Sequence, residues 1–341
     1  MAKVAVIGTG LVGSSIGLGL KRAGVRNLEL VGFDKEPGNA AKARRIGAVD
    51  RTSWSLLDAV SDAALVVIAT PVLAIRDTLQ AIGEHLSEGA VVTDTGGTKA
   101  AVLAWAEQYL RSGVHFVGGH PLVYKEGSGP EAAEASLFDG RTYCIIPGQG
   151  ASNEAVQTVV NLVGTLGARP YFIGAGEHDS FVAAVDHLPV LLSLSLMEIT
   201  STSPSWGDIA QLAGQPFRDA SRLASLEPDL SSDVCLTNAE GLVHWVDACI
   251  KELYHLRKLL QATDREALHA AFSRAWEERE RWLAGRVQAG PPASRPEIPG
   301  MAERFGELLV GRKFMEMQKR MMDDMAARER GGRNRGEKKG R

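Results

Sequence analysis

The stretch that decides the fold is Val4-Ala5-Val6-Ile7-Gly8-Thr9-Gly10-Leu11-Val12-Gly13. Its apolar run of four is too short for a helix and suits a buried strand, and it leads directly into three glycines at GxGxxG spacing. In that frame Gly8 permits a tight turn, Gly10 lets the backbone approach a pyrophosphate, and Gly13 lets the following helix pack closely on the strand. The N–H groups of the first helical turn then face the phosphates with the positive end of the helix dipole. Asp34 follows the next apolar strand 21 residues after Gly13, where a carboxylate binds a ribose 2′-hydroxyl and repels a 2′-phosphate. Gly8, Thr9, Gly10, Leu11, Val12, Gly13 and Asp34 are therefore expected to bind a dinucleotide, with NAD favoured over NADP.

Outward from this motif, short Val- and Ile-rich runs alternate with helical stretches as far as residue 175. The pattern predicts strands at 4–7, 28–33, 65–69, 91–93, 115–117, 143–146 and 170–173, with helices between them. Such alternation is that of βαβ units in a parallel sheet. The fold class is α/β: an N-terminal doubly wound parallel sheet of Rossmann type, residues 1–175, followed by an all-α domain over 176–288. Residues 289–300 carry Pro291, Pro292, Pro296 and Pro299 and are expected to form an extended connection. One more helix is predicted at 301–327, then a basic disordered tail at 328–341 with seven Lys or Arg against two Glu.

Composition narrows the function. The 341 residues include 45% hydrophobic and 23% charged, and 38 basic against 41 acidic side chains leave a net charge of −3. No basic excess points to nucleic acid. The three cysteines, Cys144, Cys235 and Cys249, are isolated, with no CxxC or Cys/His cluster to suggest a disulfide framework or a metal site. The opening Met1-Ala2-Lys3 runs straight into the first strand, so a cytoplasmic protein with no membrane partner is expected. The apolar segment 181–199, interrupted by Asp186, His187 and Pro189, is expected to be a buried helix rather than a membrane span.

Ligands of open α/β sheets bind at the carboxyl ends of the strands. Thr70 and Pro71 end one predicted strand, and Asp94-Thr95-Gly96-Gly97 end another, so Thr70, Pro71, Asp94, Gly96 and Gly97 are candidate cofactor contacts or simple turn residues. Gly118-Gly119-His120-Pro121 leaves a further strand, and a loop placed there holds His120 for proton transfer beside a nicotinamide. Read alone, a lone loop histidine such as His120 is more often inert than catalytic. Further along, His178 of His178-Asp179 is either a polar group at a helix start or a site residue, and Asp186-His187 is either a satisfied buried pair or a ligand contact. Arg218 and Arg222, four apart on one predicted helical face, suit a carboxylate-bearing small molecule or surface ion pairs.

Together GTGLVG with Asp34, TDTGGTK (93–99), GGHPLVYKEGSG (118–129), HDSFVAAVDHLP (178–189) and FRDASRLA (217–224) resemble the prephenate/arogenate dehydrogenase family of tyrosine biosynthesis. The resemblance spans residues 3 to about 260. It implies a nucleotide domain followed by interlocked helices forming a homodimer. It also implies NAD-dependent oxidative decarboxylation of prephenate or arogenate to 4-hydroxyphenylpyruvate or tyrosine. By the same resemblance His120 accepts the carbinol proton, Arg222 binds a substrate carboxylate, and Glu126 and His187 line the pocket. The chain departs from the family pattern at Gly97, where Ser is usual, at Val123-Tyr124-Lys125 after the His-Pro pair, and at Asp186 and Val190 around His187-Leu188-Pro189. Tyr124 and Lys125 are thus added substrate-side candidates, and the carboxylate of Asp186 and the cation of Lys125 suit an amino group or an altered side chain, as in arogenate or an amino-substituted analogue. A non-catalytic NAD-binding homologue is the alternative from a different class. No catalytic lysine of the β-hydroxyacid dehydrogenase kind is available, since no Lys lies between Lys125 and Lys251.

Overall fold

The computed structural model describes residues 1–287. The chain divides after Ile173 into two compact units. The predicted connection at 289–300, the helix at 301–327 and the tail at 328–341 lie outside the described residues.

The first unit is a single eight-stranded sheet. Its strands are β1 (Ala2–Ile7), β2 (Leu28–Phe33), β3 (Arg51–Thr52), β4 (Leu65–Ile68), β5 (Val91–Asp94), β6 (His115–Pro121), β7 (Thr142–Pro147) and β8 (Arg169–Phe172). The helices connecting them are α1 (Leu11–Arg22), α2 (Pro37–Arg45), α3 (Leu56–Val60), α4 (Val72–Ile82), α5 (Ala100–Tyr109) and α6 (Asn153–Thr165). The sheet order is β3-β2-β1-β4-β5-β6-β7-β8, and β1 to β6 run parallel. The order reverses between β1 and β4, which places the dinucleotide crevice of such sheets at their carboxyl ends. The central strands are covered on both faces, and Val4, Ala5, Val6, Leu65, Val66, Val67 and Ile68 are fully buried, as near-continuous apolar runs require.

Two features depart from the sequence reading. β7 pairs antiparallel with β6 and in turn parallel with β8, so the sheet is mixed at this edge. Between β6 and β7 there is only a short 3₁₀ turn, Pro130–Ala132, instead of the helix a parallel crossover needs, so the chain folds back. β3, two residues long, and α3, five residues capped by the Ser55 hydroxyl, are too short to show a hydrophobic period.

The second unit is helical, with α7 (Ala175–Val182), α8 (Leu188–Ser201), α9 (Trp206–Gln211), α10 (Gln215–Ser221), α11 (Pro228–Thr237), α12 (Ala239–Gln261) and α13 (Arg265–Leu283). A π-helical turn, Ala183–His187, joins α7 to α8. The run Ala175–Ser201 is long and apolar enough, by length and composition alone, to cross a membrane. The expectation of a buried helix fails within the chain. Val185 is 75% and Ile199 70% exposed, and Ser193 is the only buried residue of α8. α12 likewise shows Val243, Ile250, Leu253 and Tyr254 to the outside and buries only Leu242. Exposed apolar surface on this scale marks an interaction face.

Candidate active site

The glycine loop behaves as its spacing demands. Gly8 has φ +86°, and a Cβ there would lie 2.4 Å from the Ala69 carbonyl oxygen at the end of β4. A Cβ on Gly13 would fall 2.0 Å from the Gly8 carbonyl oxygen. Gly10, by contrast, has nothing within 4 Å of the position its Cβ would take. Gly8 and Gly13 are thus small for packing, while Gly10 leaves the approach to the helix open. α1 has Gly10 at its N-cap, no side-chain cap and no acidic residue in its first turn, which leaves its N–H groups and dipole available to an anion. Leu11 and Val12 form that turn.

Asp34 follows β2 as expected. Its Oδ2 accepts hydrogen bonds from the Thr9 N–H at 2.7 Å and the Thr9 hydroxyl at 3.1 Å, and its Oδ1 accepts from the Glu36 N–H at 2.9 Å. The carboxylate is therefore held against the glycine loop in a fixed orientation while remaining partly exposed. Across the switch point the Thr70 hydroxyl is buried without a hydrogen-bond partner among the described residues, and Pro71 sits at the start of α4. An orphaned hydroxyl, an open glycine and an oriented carboxylate form a donor and acceptor set that fits a dinucleotide.

Asp94 has a different place from that expected of a cofactor contact. It is fully buried at the end of β5. Its Oδ2 accepts from the Gly96 N–H at 2.8 Å and pairs with the Lys99 ammonium, and its Oδ1 accepts from the Gly119 N–H at 3.1 Å. Gly96 is buried beside it, whereas Gly97 is partly exposed. Lys99, which no sequence argument singled out, is also fully buried and donates to the Gly119 carbonyl at 2.8 Å. A signal for it existed: a cation at the N-terminal boundary of α5 opposes the helix dipole unless an anion compensates it.

His120 lies within β6, not on a loop leaving it. It is opposite Cys144 in the β6–β7 ladder and is 7% exposed. The preceding glycines serve close packing: a Cβ on Gly119 would meet the Asp94 carbonyl oxygen at 2.6 Å and the Tyr143 ring at 2.9 Å. Tyr143 is buried, its hydroxyl has no hydrogen-bond partner among the described residues, and burial followed by the Asp94 charge raises its pKa. Burial also pushes the Cys144 thiol up to about 11, with the Lys99 charge pulling the other way. Beyond β6, Tyr124 and Glu126 are exposed, and Lys125 forms an ion pair with Glu134 at 3.2 Å, so its charge is locally answered.

In the helical unit, His178 Nδ1 and Asp179 Oδ1 are 2.7 Å apart and buried. The Asn238 amide donates to the Asp179 carbonyl at 2.6 Å and lies 3.4 Å from His187 Nδ1. His187 is buried at the π-helical turn, with Asp186 Oδ2 3.8 Å from its Nε2. The Asp186 side chain is 55% exposed, and the burial of the rest raises its pKa, opposed by the His187 and His178 charges. Arg218 and Arg222 do not share one regular helix: Arg218 is in α10, while Arg222 opens a 3₁₀ turn, Arg222–Ser225. Both are exposed, and the Ser193 hydroxyl ties this segment to α8 by donating to the Ala220 carbonyl at 2.6 Å.

Comparison with known proteins follows the same division. Residues 16–172 match the nucleotide-binding domain of prephenate dehydrogenase, and 174–274 match the prephenate dehydrogenase dimerization domain. A prephenate dehydrogenase of Bacillus subtilis is 31% identical over 324 residues, covering 91% of this chain and 85% of the relative. A cyclohexadienyl dehydrogenase of Zymomonas mobilis is 29% identical, covering 81% and 94%. The crystal structure of the Aquifex aeolicus prephenate dehydrogenase in complex with hydroxyphenyl propionate and NAD+ superposes with a TM-score of 0.76 at 26% identity, covering 82% of this chain and 98% of that one. Synechocystis arogenate dehydrogenase gives a TM-score of 0.67 at 29% identity, covering 82% and 99%. Two family models in consecutive order, with a relative above 30% identity along nearly the whole chain, establish that this chain belongs to the prephenate dehydrogenase family.

Proposed function

We propose that the protein is an NAD-dependent dehydrogenase that oxidatively decarboxylates prephenate or arogenate, giving 4-hydroxyphenylpyruvate or tyrosine. The observation that carries this reading is His120 at the carboxyl end of β6, in the same sheet as the glycine loop and its oriented Asp34. Gly8, Thr9, Gly10, Leu11, Val12, Gly13 and Asp34 hold the cofactor, with Thr70, Pro71, Gly96 and Gly97 as further contacts. NAD, when bound, supplies the hydride acceptor for the carbinol carbon.

His120 removes the proton of the carbinol hydroxyl as that carbon is oxidised. The electron pair of the ring–carboxylate bond then enters the ring, carbon dioxide leaves, and the ring becomes aromatic. The oxygen ends as a phenol, so the proton held by His120 returns to it and the turnover releases no net proton. Arg222 binds a substrate carboxylate through its planar guanidinium, and His187, Glu126, Tyr124 and Lys125 contribute polar contacts. The partly exposed carboxylate of Asp186 favours a substrate bearing an ammonium, so arogenate is the preferred substrate. The exposed apolar faces of α8 and α12 pair with a second copy, consistent with the matched dimerization domain, and the reaction takes place in the cytoplasm.

NADH formation followed at 340 nm with NAD or NADP, against prephenate and arogenate, tests cofactor and substrate together. Turnover with NAD on either acid is expected, faster with arogenate, and a His120→Asn variant that still binds NAD should lose about 10²- to 10⁴-fold in kcat. NAD binding without turnover of either acid would overturn the reading in favour of a non-catalytic homologue.

A further inference from the structure

We infer that the buried Asp94–Lys99 pair is a positioning device for His120, acting through the peptide groups of Gly119; the inference rests on the proposed role of His120. Gly119 is the residue immediately before His120 in β6, and the pair engages both of its main-chain polar groups. Its N–H donates to Asp94 Oδ1 at 3.1 Å and its carbonyl accepts from Lys99 Nζ at 2.8 Å. The two side chains come from the end of β5 and the start of α5 and are both fully buried.

A pair of this kind is a poor way to gain stability. Taking two charges out of water costs about as much as their attraction returns, so an apolar pair of equal volume would often serve the fold as well. What an ion pair offers instead is direction, because its charge-assisted hydrogen bonds fix the atoms they reach. Here those atoms belong to the peptide groups that set the height and tilt of the His120 Cα. The packing removes the remaining freedom. A Cβ on Gly118 would meet the Lys99 side chain at 3.3 Å, and one on Gly119 would strike the Asp94 backbone and Tyr143, so β6 is seated directly on the pair and on β7. The same Asp94 carboxylate also binds the Gly96 N–H, which couples the turn after β5 to the histidine strand.

Lys99→Met and Asp94→Asn test the assignment, with His120→Asn as reference. Each variant is checked for cooperative melting, its NAD dissociation constant is measured by fluorescence titration, and its kcat and KM are measured with arogenate and prephenate. A positioning role predicts that folded Lys99→Met loses on the order of 10- to 10²-fold in kcat, the scale of a small misplacement of a reacting group, with NAD affinity and KM close to wild type. It also predicts that methylamine partly restores kcat to a Lys99→Ala variant, and does not do so when His120→Asn is added. A folded Lys99→Met with wild-type kcat would overturn the inference, as would losses of NAD affinity equal to the loss of kcat. Should Lys99→Met not fold, Asp94→Asn, which keeps an acceptor for Gly119 N–H, carries the same expectation. Failure of both to fold would mark the pair as a folding element and overturn the inference. Unchanged turnover by His120→Asn would instead topple the proposed base itself, whatever Lys99 does.

Discussion

Gly10 and Gly13 belong to one motif and look alike in the sequence, but the structure predicts opposite consequences for adding a methyl group to each. At Gly13 the new Cβ would lie 2.0 Å from a backbone oxygen, that of Gly8, which cannot move without dragging β1 and the turn with it. Overpacking of this kind costs about 1–3 kcal/mol or more. For the 173 residues of that unit up to Ile173 this amounts to a fall in melting temperature of roughly 2–12 °C. At Gly10, with φ −68° and nothing within 4 Å, Ala is accommodated without strain. It should leave the melting temperature unchanged or raise it slightly, because the unfolded chain loses freedom. The methyl group then stands where a pyrophosphate must approach the first turn of α1, and displacing one or two charge-assisted N–H bonds costs about 1–3 kcal/mol. NAD affinity should fall roughly 5- to 150-fold. Thermal melts of Gly10→Ala and Gly13→Ala without ligand, together with NAD titrations, separate the two. Wild-type NAD binding by Gly10→Ala, or an unchanged melting temperature for Gly13→Ala, would refute the reasoning.

Three further outcomes are expected. Asp34→Ala removes a carboxylate that would lie within about 5 Å of a 2′-phosphate, a repulsion of ~3 kcal/mol at an effective dielectric near 20, so the NAD-to-NADP preference in kcat/KM should drop by about 10²-fold. Asp186→Asn should raise the melting temperature at neutral pH. The folded-state pKa of Asp186 is raised, so the cost of its ionised form is fully present above that value and vanishes as pH falls below the ordinary carboxylate range near 3.8. The gain should fade over the same window, and an equal gain at pH 3 and pH 8 would contradict it. Leu253→Glu with Ile250→Glu on the exposed face of α12 should shift sedimentation from dimer to monomer at micromolar concentration, whereas a wild-type dimer persisting in this double variant would exclude that face from the interface.

How much was legible in the sequence depended on how local the cause was. The β1–glycine loop–α1 unit and Asp34 were readable because strand, turn and helix all follow from neighbouring residues, and the alternation of apolar runs exposed most of the remaining strands. β3 and α3 escaped because neither is long enough to complete a period. The reversal at β7 escaped because direction is set by what connects two strands, and here that connection is a 3₁₀ turn.

The candidate site divided along the same line. Residue type and place relative to predicted strands and helices marked His120, Asp34 and Arg222 as chemically capable, and the order of motifs pointed to the family. Only tertiary contact decided that Asp94 is spent inside the protein, that Lys99 is its partner, that Lys125 is answered by Glu134, and that α8 and α12 leave their apolar faces uncovered. Periodicity reports which faces of an element are apolar and motif spacing which groups lie close along the chain. Burial and the pairing of charges depend on residues brought together from distant parts of the sequence, and that information exists only once the chain has folded.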